Sequence, residues 1–222
     1  MKFFSLIVLS GLLVSCGGSN GGGSNGATAQ NQESLEDAQG LYLASLRPLN
    51  THLSGFIPSG QTEVEIKNNT FEVVSVLDDA ASVTHRHNIH KGTRCPDMRD
   101  DQNGDGYVDV NEALSVVGDI IIPLDSDLQT QTAGAFPRGS AMTYAKSTSI
   151  DLLMRDLRET DLDPNDHVVK LIDGEAFSLE GKVVVIHGAS GYVNLPDSVA
   201  ALPRETKQGS MPIACGILRK IQ

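Results

Sequence analysis

The chain has 222 residues, with 17 Lys plus Arg against 28 Asp plus Glu, three Cys, no Trp, four Tyr and six Phe. That length supports one domain with modest extras, and 40% hydrophobic with 20% charged residues is the composition of a globular chain, not a disordered one. A formal charge of −11 and a pI near 4.8 exclude nucleic acid as a partner, because phosphate binding needs a concentrated basic surface.

Lys2 precedes an apolar stretch, and Leu13-Val14-Ser15 then runs into Cys16, which reads as a short secretory signal. Its end resembles the lipobox of bacterial lipoproteins. That resemblance implies that Cys16 is lipidated, that the chain reaches the membrane through this anchor, and that it resides in the bacterial cell envelope, on the outer membrane facing periplasm or surface. Residues 17–26, all Gly, Ser and Asn, are a flexible tether, and the polar run over 30–37 extends it. The expected organisation is a signal over 1–15, a lipidated Cys and tether over 16–40, and one domain over 41–222. With Cys16 acylated, Cys95 and Cys215 remain in an oxidising compartment and are expected to pair.

Alternating or β-branched runs predict strands over 41–46, 62–66, 71–77, 82–87, 117–122, 143–152, 168–172, 182–187 and 213–218. Asn68-Asn69 and Glu180-Gly181 read as tight turns. Helical signal is confined to 111–116 and 152–158. The expectation is an all-β antiparallel sandwich or barrel with short helices.

Between Asp101 and Glu112 the sequence DQNGDGYVDVNE puts side-chain oxygens at loop positions 1, 3, 5, 9 and 12, Gly106 at position 6 and Val108 at position 8. A hard cation needs six to eight oxygens, and this spacing offers Asp101, Asn103, Asp105, the Tyr107 carbonyl, Asp109 and Glu112 as calcium ligands. The segment resembles the EF-hand loop over all twelve positions. Gly92, Cys95 and Pro96 break any entering helix, so a two-helix sensor is not expected. A structural site with an affinity on the order of 0.1 to 1 mM is, as in extracellular modules.

Three of the six His fall within His85-Arg86-His87-Asn88-Ile89-His90, and a fourth, His187, ends the apolar run over 183–186. In a strand His85 and His87 share a face while His90 has the opposite parity, and three or four imidazoles suit copper or zinc. His167 follows a turn-like segment and reads as solvated; His52 carries no signal.

In order, His85-Arg86-His87 with Gly92 and Cys95, the run ending in His187, and Ala214-Cys215-Gly216 resemble the copper, zinc superoxide dismutase family. An alternative alignment uses Asn88-Ile89-His90 and puts Asn88 where the first ligand belongs. The resemblance implies a Greek-key barrel, a Cys95–Cys215 disulfide and copper at His85, His87 or His90, and His187. Chordin-type domains resemble the same sandwich and are not dismutases. The calcium loop stands where the family's zinc loop belongs, and Pro212 stands where it has a guiding Arg. No His-Glu-x-x-His or phosphate loop is present. The expected function is a calcium-binding, membrane-anchored lipoprotein, a non-catalytic module for an envelope partner or ligand; the alternative is a copper-dependent, superoxide dismutase-like enzyme or copper-binding protein.

Overall fold

The computed structural model describes residues 38–52, 55–128, 135–158 and 177–222. The strands are β1 (Gly40–Pro48), β2 (Ser59–Lys67), β3 (Thr70–Asp78), β4 (His87–His90), β5 (Ile120–Pro123), β6 (Met142–Ser149), β7 (Val183–His187), β8 (Pro212–Ile217) and the two-residue β9 (Arg219–Lys220). Short helices are α1 (Val110–Val117), α2 (Ile150–Arg158) and α3 (Lys207–Ser210), with a 3-10 turn at Met98–Asp100. Eight strands are bonded in the order β5-β4-β7-β8-β1-β2-β3-β6, with β9 added beside β1. Every pairing is antiparallel, and the sheet curls into a half-barrel.

β1 makes the curl continuous. Its first seven residues pair with β2, and its last two, Arg47 and Pro48, cross over to pair with Cys215 and Ala214 of β8. At that crossing a Cβ on Gly216 would stand 2.7 Å from the Ser45 carbonyl oxygen, so only glycine permits the approach. The β2–β3 turn holds Asn68 and Asn69 at φ 48° and 66°, the left-handed pair that a two-residue hairpin needs.

Period-two alternation gives the concave face Tyr42, Ala44, Val64, Ile66, Phe71, Val73 and Leu77, joined by Met142, Tyr144, Ile89, Val184 and Ile186. Ile150, Leu153 and Leu157 of α2 pack into the same core. Thr62 and Ser75, opposite each other and fully buried, satisfy one another at 2.9 Å. A second cluster lies apart from this core, where Val183, Val185, Val117, Cys95 and Cys215 meet. Cys95 and Cys215 are disulfide-bonded, with Cα atoms 5.8 Å apart. The bridge fastens the segment before the acidic loop to β8.

Several expectations shift. The strand expected over 82–87 is instead β4, which starts at His87. The His85 amide bonds to the Pro137 carbonyl at 2.8 Å, and Thr84 makes only an isolated bridge to Arg138. The strand expected to start at residue 117 begins at Ile120, because Val117 closes α1 and Gly118 caps it at φ 69°. The strand expected to reach residue 152 ends at Ser149, where α2 begins. The tether, Cys16, His167 and the strand over 168–172 lie outside the described residues.

The bridge closes a separation of 120 residues, worth about 5 kcal/mol in the chain-entropy model. The Cys95→Ala, Cys215→Ala double variant should therefore lose roughly 2–5 kcal/mol in urea denaturation; an unchanged midpoint would mean the bridge constrains nothing.

Candidate metal centres

The acidic loop turns its side chains onto its own backbone. Asp101 accepts from the Gly104 amide at 2.8 Å and the Gly106 amide at 2.9 Å, one on each oxygen. Asn103 accepts from the Asp105 amide and Asp105 from the Tyr107 amide, both at 2.9 Å. Glu112 reaches back with Oε1 to the Gln102 and Asn103 amides and with Oε2 to the Asp109 amide. Asp109 caps α1 through Oδ1, and Glu112 completes a capping box that a sequence of this spacing encodes. Gly106 at φ 90° makes the central turn that a side chain would strain.

Two donors come from far along the chain. Ser198 Oγ donates to Asp105 Oδ2 at 2.6 Å, and the Ala200 amide donates to Asp109 Oδ2 at 2.8 Å. Both oxygens of Asp101, Asp105, Asp109 and Glu112 thus accept a hydrogen bond. Asp109 Oδ1 and Glu112 Oε1 each accept two hydrogen bonds, and the other six oxygens, with one each, retain a second lone pair. No α-helix enters the loop, as Gly92, Cys95 and Pro96 led one to expect: Met98–Asp100 is one 3-10 turn, capped by Asp97.

Asn50, buried at φ 50°, was not legible as part of this site. Its amide oxygen accepts from the Val108 amide at 2.9 Å, while its amide nitrogen donates to the Val108 carbonyl at 3.0 Å and the Pro212 carbonyl at 2.9 Å. Nothing in its sequence neighbourhood points 58 residues ahead.

The histidines divide. His85 lies outside any strand, fully buried, with Nδ1 3.0 Å from the His187 carbonyl oxygen and Nε2 3.0 and 2.9 Å from those of Ala81 and Gly139. Both of its nitrogens are committed to the backbone, and it does not share a strand face with His87. His87 packs edge-on against Tyr144 at 4.6 Å, in the main core, and both its nitrogens are buried without a hydrogen-bond partner. His90 Nδ1 bonds to the Gly118 carbonyl at 2.8 Å, which leaves Nε2 buried and unpartnered. His187 Nδ1 bonds to the Ser210 carbonyl at 2.8 Å. Among the described residues no three or more His, Cys, Asp or Glu side chains stand in an arrangement that could hold a metal ion. The outlying His52 ring instead lies against Tyr107 at 4.6 Å.

Burial pushes the His87 and His90 imidazoles down to about 3 and His187 to about 4, and the Arg86 guanidinium adds to the fall of His187. All three rings are neutral in the folded protein at pH 7.

Among known proteins, no family model matches the chain and no curated protein resembles it significantly.

The lowered imidazoles have a measurable consequence. Below the ordinary histidine value near 6.5 the unfolded chain binds protons that the folded one refuses, so stability is complete above that pH and falls as pH drops toward 4. Each ring contributes about 1.4 kcal/mol per pH unit. Urea midpoints should fall steeply between about pH 6.5 and 4, with a shallower slope in His87→Gln; a flat profile in that window would show that the rings are solvated.

Proposed function

We propose that the protein is a calcium-binding, lipid-anchored envelope lipoprotein whose β-domain is a non-catalytic binding or structural module. The observation that carries this is the Asp101–Glu112 loop, whose spacing of side-chain oxygens around Gly106 is that of a calcium loop and in which six of the eight carboxylate oxygens accept a single hydrogen bond and keep a lone pair for a hard cation. The four carboxylates do not converge on one point in this structure; Asp101, Asn103, Asp105, Asp109, Glu112 and the Tyr107 carbonyl would hold the ion once turned toward it, and it would supply charge neutralisation where four carboxylates crowd within twelve residues. The strand order, with β6 beside β3 and β7 beside β4, is what two Greek-key crossings produce. Together with the disulfide it supports a sandwich of superoxide dismutase or chordin type. Cys16 and the polar tether support the membrane anchor.

Calcium bound to the folded state alone adds RT ln(1 + [L]/Kd) to stability. For a Kd on the order of 0.1 mM, melts in about 10 mM calcium should exceed those in chelator by about 2.7 kcal/mol, and Glu112→Gln should abolish most of the difference. Identical melts in calcium and chelator would remove the reading.

A second reading rests on the unpartnered Nε2 of buried His90. His90 and His187 each present Nδ1 to a carbonyl oxygen, the partnership that fixes a metal-binding imidazole with Nε2 carrying the lone pair. Asn88, in the position where the dismutase family places a further ligand, is buried beside them in β4. Copper would bring one-electron redox chemistry there; the chain's own contribution is two neutral, oriented imidazoles. Pro212 in place of the guiding Arg argues against fast dismutation. Cu(II) added to the mature protein should give a nitrogen-ligated paramagnetic spectrum that is lost in His187→Ala. Uptake of no copper at all would leave the calcium module alone, and robust dismutase activity would favour the enzyme.

A further inference from the structure

We infer that the Asn103–Gly104 peptide is a site of spontaneous covalent modification, at which Asn103 is deamidated to isoaspartate at a rate set by Asp101. The inference is independent of the calcium reading and involves no cation.

The reaction needs an asparagine side-chain amide and, next in sequence, a backbone nitrogen that nothing shields. Asn103 and Gly104 are both exposed. Gly104 has no side chain beside its nitrogen, stands at φ 72°, and even a Cβ built on it would meet nothing within 4 Å, so the approach is open. Asn103 Oδ1 accepts from the Asp105 amide at 2.9 Å, a donor placed on the oxygen where negative charge gathers during attack at Cγ. The Gly104 nitrogen gives its proton to hydroxide and attacks Cγ. A C–N bond forms, the Cγ–Nδ2 bond breaks, and the side-chain nitrogen leaves as ammonia with a proton from water. Water then opens the cyclic imide at either carbonyl and yields isoaspartate or aspartate; nothing is oxidised or reduced.

The proton that must leave is held. The Gly104 amide donates to Asp101 Oδ1 at 2.8 Å, while Asp101 Oδ2 takes the Gly106 amide at 2.9 Å. A carboxylate so close opposes the nitrogen anion on which attack depends. Glu112 Oε1, 3.2 Å from the Asn103 amide nitrogen, adds to the same field. Asp105–Gly106 is a built-in comparison, because it repeats the arrangement: Gly106 stands at φ 90°, Asp105 Oδ1 accepts from the Tyr107 amide at 2.9 Å, and the Gly106 amide is held by the same Asp101. Its side chain is a carboxylate, a far poorer electrophile with no ammonia to expel, and Ser198 Oγ holds its Oδ2 at 2.6 Å. Asn103 is therefore the residue that reacts. Isoaspartate at this position carries the main chain through Cγ, so it withdraws the side-chain oxygen that the Asp105 amide uses and adds a negative charge beside the four carboxylates of the loop.

Mature protein held for weeks at mildly alkaline pH, then resolved by ion exchange and peptide mapping with fragmentation that distinguishes isoaspartate, tests this. An additional acidic form with isoaspartate at residue 103 should accumulate, with residue 105 unchanged, and Asn103→Gln should abolish it. Asp101→Asn keeps an oxygen for the turn but removes the charge, and should raise the rate at Asn103 roughly tenfold in protein shown to be folded by circular dichroism. Asn20-Gly21 and Asn25-Gly26 carry the same dipeptide and show that the conditions suffice. Asn103 left intact once those two have converted would overturn the site; an unchanged or slower rate in folded Asp101→Asn would overturn the part given to Asp101.

Discussion

Four carboxylates confined between Asp101 and Glu112 set the terms for this molecule. Like charges so close repel unless each oxygen is given a donor or a cation, and the chain has recruited donors from three places: the loop's own amides, the amide end of α1, and Ser198 with Ala200 from the other end of the sequence. Residues around this loop are thereby committed to one arrangement. The Cys95–Cys215 bridge sits at its entrance and Asn50 on its flank, so both join the loop to β8.

The curled sheet offers two kinds of burial, and the candidate chemistry falls between them. His87 faces the main core beside Tyr144, whereas Val183 and Val185, neighbours of His90 and Asn88 across the ladder, pack under the disulfide. A buried neutral imidazole with an unused nitrogen is costly, and His87, with both nitrogens unpartnered, and His90, with Nε2 unpartnered, both bear that cost. His85 differs in kind. Its ring spans the carbonyls of Ala81, Gly139 and His187, and so ties three segments to one another.

Much of the sheet was legible because period-two alternation is strong in β2 and β3, where buried Val64, Ile66, Val73 and Leu77 alternate with exposed or half-buried neighbours. The same rule misplaced β4. His85 looks like a strand residue by spacing, but its two ring nitrogens capture backbone carbonyls and hold the chain out of the ladder until His87. The turn of the acidic loop was legible because Gly106 stands where the chain needs a positive φ and the side-chain oxygens around it cap successive amides. Its supports were not, since Asn50, Ser198 and Ala200 act through long-range hydrogen bonds that no local pattern encodes.

The proposed calcium site can be tested directly by terbium luminescence, because Tyr107 lies within the loop at the position whose carbonyl would face an ion. Excitation of tyrosine in the mature protein should produce sensitised terbium emission that calcium displaces and that Tyr107→Phe diminishes. Tyrosine fluorescence with no terbium emission at millimolar lanthanide would contradict a cation site at Asp101–Glu112.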